Sequence, residues 1–112
     1  MDKFPEKDWK IIRSMKDRLL DLACERILVK VSNVIDQDDF RVHTKYVKLW
    51  KLMKKEDKEI AAMFDEVKRS NAVHILALWR CNNLITDSEF SSFTPETRER
   101  VQSLIQIWKN NH

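Results

Sequence analysis

The sequence of 112 residues contains no glycine. Glycine normally supplies the left-handed backbone of tight turns, helix C-caps and phosphate-binding loops. Its absence disfavours β-hairpins, glycine-rich nucleotide-binding loops and Rossmann turns, and it excludes a GxSxG nucleophile elbow. We therefore expect helices that are separated by asparagine, aspartate, serine and the two prolines.

Long apolar runs are also missing. No run reaches the ~18 residues of a transmembrane helix, and the charged N-terminal stretch, MDKFPEKDWK, lacks the apolar segment of a signal peptide. The only cysteines, Cys24 and Cys81, show no CxxC spacing, which predicts two free thiols. We expect a cytoplasmic protein that does not associate with membranes.

Metal-ligand patterns are sparse. No two of the three histidines stand at the i, i+3 or i, i+4 spacing of a helical zinc or di-iron site, and no ExxH occurs. The acidic stretch 36–39 does not match an EF-hand, because the central glycine is absent and Val47 occupies the place of the last glutamate. We expect no metal, no other cofactor and no small-molecule ligand.

The longest helical pattern runs from Trp9 to Ile35. Apolar residues recur there at helical spacing, and the apolar arc is wide enough to contact several neighbours, within the chain or across a dimer interface. Lys16, Arg26 and Lys30 interrupt this arc. Either their stems lie along the core, or they form a buried basic pocket or an inter-subunit ion pair. The residues that we assign to an interface are Ile11, Leu22, Leu28 and Val29.

A second helix is predicted to start near Phe40, after a cap at Asp38 or Asp39. One interpretation continues this helix over about 41–69 and starts a third near residue 70. The other starts the third helix at Asp57. In both cases the third helix ends near residue 82.

Local signals define the rest of the chain. Asn82-Asn83 predicts a helix end, since asparagine tolerates the left-handed cap. Residues 86–89, Thr-Asp-Ser-Glu, form a capping box that opens a short helical turn. The stretch Thr94-Pro95-Glu96 predicts the start of the last helix, which runs to about Trp108.

These elements predict one all-α domain over residues 1–112, a mostly antiparallel four-helix bundle with a long N-terminal helix and a short extra turn before the last helix. The chain is long enough to bury a core without disulfides. The predicted core comprises Trp9, Ile12, Leu19, Ile27, Tyr46, Leu49, Met53, Phe64, Ile75, Leu78, Leu104 and Trp108.

The second helix carries the net positive charge of the chain. Six of the 21 basic residues lie between 41 and 55, with no acid among them. The remaining 15 basic residues stand against 18 acidic ones, a balance of minus three. Such a stripe could contact a phosphate backbone, or it could be a solvated face. The predicted nucleic-acid-binding residues are Arg41, Lys45, Lys48, Lys51 and Lys55.

Arg69 and His74 form a further pattern. The stretch Arg69-Ser70-Asn71-Ala72-Val73-His74 resembles the Arg-x4–6-His spacing of HEPN-type ribonucleases, which are small all-helical domains. The resemblance implies that Arg69 would stabilise phosphate charge and that His74 would exchange a proton with an RNA 2′-hydroxyl. The alternative is a surface arginine and a histidine on a helix face.

The sequence shows no catalytic constellation beyond this pattern. Surplus apolar surface on the first helix favours a non-enzymatic protein-interaction module, which would form a homodimer or bind another protein. Nucleic-acid binding through residues 41–55 is the first alternative, and the ribonuclease is the second.

Overall fold

The computed structural model describes residues 3–38 and 41–111, and within these ranges the chain is all-helical, with about 80% of the residues in helices. The elements are α1 (Glu6–Ile35), α2 (Val42–Phe64), a 3-10 turn (Arg69–Asn71), α3 (Ala72–Cys81), α4 (Asp87–Phe90) and α5 (Pro95–Asn110). The predicted all-α class is confirmed. None of the helices in the described ranges combines the length and the apolar character that crossing a membrane requires.

The predicted helix boundaries after residue 80 are confirmed. Asn83 adopts φ 56°, the left-handed conformation that glycine would otherwise supply. The Thr86 hydroxyl accepts from the Glu89 amide while the Glu89 carboxylate accepts from the Thr86 amide, which completes the capping box. Thr94 caps α5 through its hydroxyl, with Pro95 at the first helical position. These signals lie within a few residues of sequence, and Thr94 and Glu89 also bond to Asp8 and Arg18 of α1.

The boundaries of α2 differ from the prediction. Arg41, rather than Asp38, is the N-cap residue, and it makes no side-chain capping bond. The alternative cap Asp39 and the predicted start at Phe40 lie outside the described residues. The helix passes Asp57 without interruption, as the first interpretation expected, but it ends at Phe64.

Two side chains secure the end of α2. The buried Trp79 indole donates to the carbonyl of Met63, one of the last carbonyls of the helix (3.1 Å). The side chain of Asn71 then holds the connection to α3. Its Nδ2 donates to the carbonyl of Glu66 (2.7 Å), and its Oδ1 accepts from the backbone amide of Lys68 (2.9 Å). The chain therefore turns at residues 65–71 without a glycine.

The core lies among the first half of α1, the end of α2, α3 and α5, and much of it comes from the connections. Of the predicted core, Ile12, Leu19, Phe64 and Ile75 are buried, and Trp9, Ile27, Leu49, Leu78, Leu104 and Trp108 are partly buried. The prediction was wrong for Tyr46 and Met53, which are 66% and 40% exposed. Buried residues that the prediction omitted include Phe4, Trp79, Leu84, Ile85, Phe90 and Phe93.

A projecting pair of helical segments explains these exposed residues. The chain measures 57 × 31 × 24 Å, and its radius of gyration of 16.9 Å exceeds the roughly 13 Å of a compact chain of this length. The buried residues of α1 end at Ala23, and those of α2 begin at Glu56. Residues 24–38 and 41–55 therefore extend beyond the core. We call them the arm, and we call the rest of the molecule the body.

Candidate functional site

The arm is an antiparallel pair whose root is fixed to the body. Lys30 forms an ion pair with the buried carboxylate of Glu56 (2.8 Å), and Lys45 donates to the carbonyl of Ile35 (2.8 Å). Arg26 donates to the carbonyls of Asn82 (3.0 Å) and Asn83 (2.9 Å), at the end of α3. The basic residues that interrupt the apolar arc of α1 at positions 26 and 30 therefore have partners within their own chain.

Large apolar side chains remain uncovered on the arm. Trp50 is 62% exposed and Val42 85%, and of the eight exposed large hydrophobic residues in the described ranges, only Ile107 lies outside the arm. Such side chains normally stand singly on a surface, and a contiguous group of them marks an interaction site. The exposed residues of the arm are Leu28, Val29, Ile35, Val42, Tyr46, Trp50 and Met53.

Helix geometry places six of these side chains on one side of the arm. Successive residues of an α-helix are about 100° apart around its axis. On α1, Leu28 and Ile35 therefore lie about a quarter turn around the helix from the partly buried residues that face α2. On α2, the positions 42, 46, 50 and 53 lie a quarter turn in the same sense from the buried Glu56. Because the two helices are antiparallel, both displacements lead to the same side. We call this surface the apolar face: Leu28, Ile35, Val42, Tyr46, Trp50 and Met53.

The predicted interface residues fall into three places. Ile11 and Leu22 pack against the core of their own chain. Leu28 lies on the apolar face, and Val29 is 57% exposed on another side of α1. The sequence prediction missed Tyr46 and Trp50, because their helical spacing is the same whether a core or solvent covers them.

Unpaired lysines form a second surface beside the apolar face. Lys51, Lys54, Lys55 and Lys58 line one depression, where Glu59 is the single carboxylate among the described residues. In the described ranges none of these four ammonium groups forms an ion pair. We call this group the lysine cluster. It lies on the part of α2 that faces away from α1.

The predicted nucleic-acid-binding residues are only partly in this cluster. Lys51 and Lys55 belong to it, while Lys45 turns toward α1 and bonds to Ile35. Arg41 and Lys48 are exposed on α2 outside the depression. Lys58 lies outside the predicted basic stretch, because that stretch ends at the first acids after residue 55.

Arg69 and His74 line the same pocket at the start of α3, as a joint role would require. Arg69 is held there by two contacts, since its Nε donates to the carbonyl of Phe4 (2.8 Å) and its Nη1 to the carboxylate of Glu6 (2.6 Å). The His74 ring is exposed and meets the Trp108 ring edge to face (5.5 Å). The pocket therefore combines an anchored guanidinium with an accessible imidazole.

Metal ligands do not gather anywhere in ranges 3–38 and 41–111, where no three histidine, cysteine or acidic side chains come close enough to hold an ion. Cys24 and Cys81 are exposed free thiols.

Comparison of the chain with protein families, with curated proteins and with solved structures finds no significant match. Function is therefore inferred from the surfaces themselves. The apolar face, the lysine cluster and the pocket at Arg69 are the three surfaces from which it is inferred.

Proposed function

We propose that the protein is a non-enzymatic interaction module that self-associates through the apolar face of its arm. The observation that carries this proposal is the exposure of Trp50 (62%) and Tyr46 (66%), side by side on one helix surface. Aromatic side chains supply most of the energy of protein interfaces, and leaving two of them in water together is unfavourable.

The exposed area suits a dimer. Side chains of this size have accessible areas of about 150–250 Å² each, so six of them at the observed exposures present on the order of 600–700 Å². A stable interface needs about 800 Å² from each partner, of which a polar rim supplies the remainder. At ~25 cal/mol per Å², covering both faces contributes about 30 kcal/mol before the costs of association are subtracted.

The edges of the apolar face carry opposite charges. On α1 the face is flanked by Asp21 and Glu25, and on α2 by Lys54 and Lys58. If α1 of one copy lies over α2 of the second copy, the acidic edge of each copy meets the basic edge of the other. Exposed ion pairs add little affinity, but they disfavour the arrangement in which like edges meet.

This pairing would also produce a four-helix arrangement. The sequence predicted a mostly antiparallel four-helix bundle within one chain, and the two helices of each arm would supply such a bundle between two chains. The dimer would also explain the apolar periodicity of α1 and α2 within the arm, because each helix would pack against a second neighbour.

Sedimentation velocity over a range of micromolar concentrations tests the proposal. We expect the wild-type chain to form a dimer, and we expect Trp50→Glu to be monomeric with unchanged helical content. The loss of an aromatic anchor costs about 2 kcal/mol or more, on the order of thirtyfold in dissociation constant. The matched control is Thr44→Glu, which places the same charge at an exposed position of α2 away from the apolar face.

The two cysteines give an independent readout of the same surface. Cys24 is exposed one turn before Leu28, on the side of α1 that carries the apolar face, whereas Cys81 lies on the body. Dimerisation through the apolar face should slow alkylation of Cys24 as concentration rises and leave Cys81 unaffected. A wild-type chain that stays monomeric at high micromolar concentration would refute self-association.

The lysine cluster supports a second candidate function, binding of single-stranded nucleic acid. Single strands are bound by a positive surface that follows the phosphates and by aromatic rings on which bases stack. Trp50 lies one helical turn before Lys54, so that an exposed ring adjoins the unpaired ammonium groups. Four phosphate contacts would give a salt slope of about −2.8, a loss of roughly fiftyfold between 50 and 200 mM salt.

Fluorescence anisotropy with a labelled single-stranded RNA separates the candidates. Binding through the lysine cluster should fall strongly in Lys54→Glu/Lys58→Glu and stay unchanged in Lys7→Glu/Lys10→Glu, which makes the same charge change on α1 of the body. Equal binding by both variants would reject the cluster. RNA that is cleaved during the assay would instead support the ribonuclease alternative with Arg69 and His74.

A further inference from the structure

The pocket at the start of α3 is rich in positive charge. It has a volume of about 750 Å³ and lies between the N-terminal segment, the connection before α3, and α5. Lys3, Arg69, Arg100 and His74 line it, and none of the lining residues in ranges 3–38 and 41–111 is a carboxylate. Lys3, the stretch with Arg69 and His74, and Arg100 come from three distant parts of the sequence, and the fold brings them together.

The charges in this pocket are largely available. In the described ranges neither Lys3 nor Arg100 forms an ion pair. Arg69 shares one nitrogen with Glu6 and another with the Phe4 carbonyl, and its second terminal nitrogen has no hydrogen-bond partner among the described residues. Because these bonds already orient the guanidinium, binding would cost less conformational entropy than it does at a free arginine. The N-terminus of α3 adds a small positive potential.

The pocket also has an apolar side. Phe4 is buried at its floor, and Val73 and Leu104 are partly buried in its wall. A surface that bound only the phosphates of a polyanion would not need these apolar side chains. A compact anionic group joined to an organic body matches both parts, with the anion at the arginines and the organic body against the aliphatic side chains.

We propose that this pocket binds a phosphomonoester, whose dianionic phosphoryl group is held by Arg69, Arg100 and Lys3. A phosphoryl group is favoured over a carboxylate because its three oxygens can accept from three separate cations, and the planar guanidinium matches two of those oxygens at once. The source is either a free organic phosphate or the phosphorylated 5′ end of a nucleic acid. The site is separate from the arm and does not depend on self-association.

Isothermal titration calorimetry with adenosine 5′-monophosphate tests the proposal, and adenosine serves as the ligand that lacks the phosphoryl group. We expect binding of the monophosphate and at least tenfold weaker binding of adenosine, since each charge-assisted contact contributes about a factor of ten or more. Arg100→Gln should weaken monophosphate binding about tenfold. The matched control is Arg13→Gln, which removes an exposed arginine of α1 away from the pocket.

A 5′-phosphorylated and an unphosphorylated RNA oligonucleotide distinguish the two sources. Tighter binding of the phosphorylated RNA than of the free nucleotide, lost in Arg100→Gln, would assign the pocket to a nucleic-acid end. Equal affinity of both RNAs, with binding of the free nucleotide that depends on Arg100, would assign it to a small organic phosphate. The proposal is overturned if the nucleotide does not bind at millimolar concentration, or if Arg100→Gln binds it as well as Arg13→Gln does.

Discussion

Replacement of Asp8 by alanine tests a buried polar contact between the first and last helices. Asp8 lies in the first turn of α1 and is fully buried. Its carboxylate accepts from the amide of Thr94 (3.0 Å), from the hydroxyl of Thr94 (2.7 Å) and from the hydroxyl of Thr97 (2.6 Å). Since Thr94 is the N-cap residue of α5, one carboxylate joins the beginnings of two helices.

The expected cost follows from these three hydrogen bonds. A bond to a charged group contributes about 1.5–3 kcal/mol, and the three donors are left without an acceptor when the carboxylate is removed. The contributions are not additive, because they share one acceptor group. We expect Asp8→Ala to lower the free energy of unfolding by about 3–5 kcal/mol. At about 2.1 cal/mol/K per residue, the unfolding entropy of 112 residues converts this loss into a decrease in Tm of about 13–21 °C.

Urea and thermal unfolding followed by circular dichroism measure this loss. Asp8→Asn should fall between the wild type and Asp8→Ala, since the amide oxygen still accepts from some of the donors. Asp17→Ala is the control, because Asp17 is exposed on the same helix and should change stability by less than about 0.5 kcal/mol. A loss below about 1 kcal/mol in Asp8→Ala would refute the reasoning, and so would equal effects of the substitutions at positions 8 and 17.

Two further predictions concern charged contacts. Lys30→Met should destabilise the chain by about 1–2 kcal/mol in urea unfolding, because it leaves the Glu56 carboxylate buried without its cation, and Lys30→Met/Glu56→Leu should recover most of that loss. The hydrogen bond from the Thr86 amide, with the nearby Arg18, holds the pKa of Glu89 below its usual 4.5. A lowered pKa gives stability that is present above pH 4.5 and is lost as pH falls through the lowered value. Glu89→Gln should therefore make unfolding less dependent on pH below 4.5, and an unchanged pH profile would contradict this.

The local part of the fold was predictable from short sequence signals. Asn83, Thr86 and Thr94 act on backbone groups within one helical turn, so that neighbouring residues determine their effect. The periodicity of α1 likewise predicted a single helix to Ile35. Such patterns specify which side chains share a face, and that information is independent of what covers the face.

The surfaces were less predictable, because they depend on how far each helix extends beyond the core. Tyr46 and Trp50 have the spacing of core residues, yet the body covers only the last turns of α2. The basic stretch was visible in the sequence. The sequence did not show which of its side chains bond within the chain, as Lys45 does to a carbonyl of α1. The pocket required Arg100, which no local pattern links to Arg69.

The turn after α3 is bonded to the root of the arm and braces it. Arg26 is bonded to the carbonyls of Asn82 and Asn83, and the positive φ of Asn83 sets where those carbonyls are directed. From Arg26 to the end of α1 the arm extends about 13 Å, so that a rotation of about 10° at the root displaces the tip by about 2 Å. Because α1 runs without a break from the body into the arm, the two bonds of Arg26 resist such a rotation. The apolar face is therefore held at a fixed position relative to the body, and a substitution at position 83 would loosen the root of the arm.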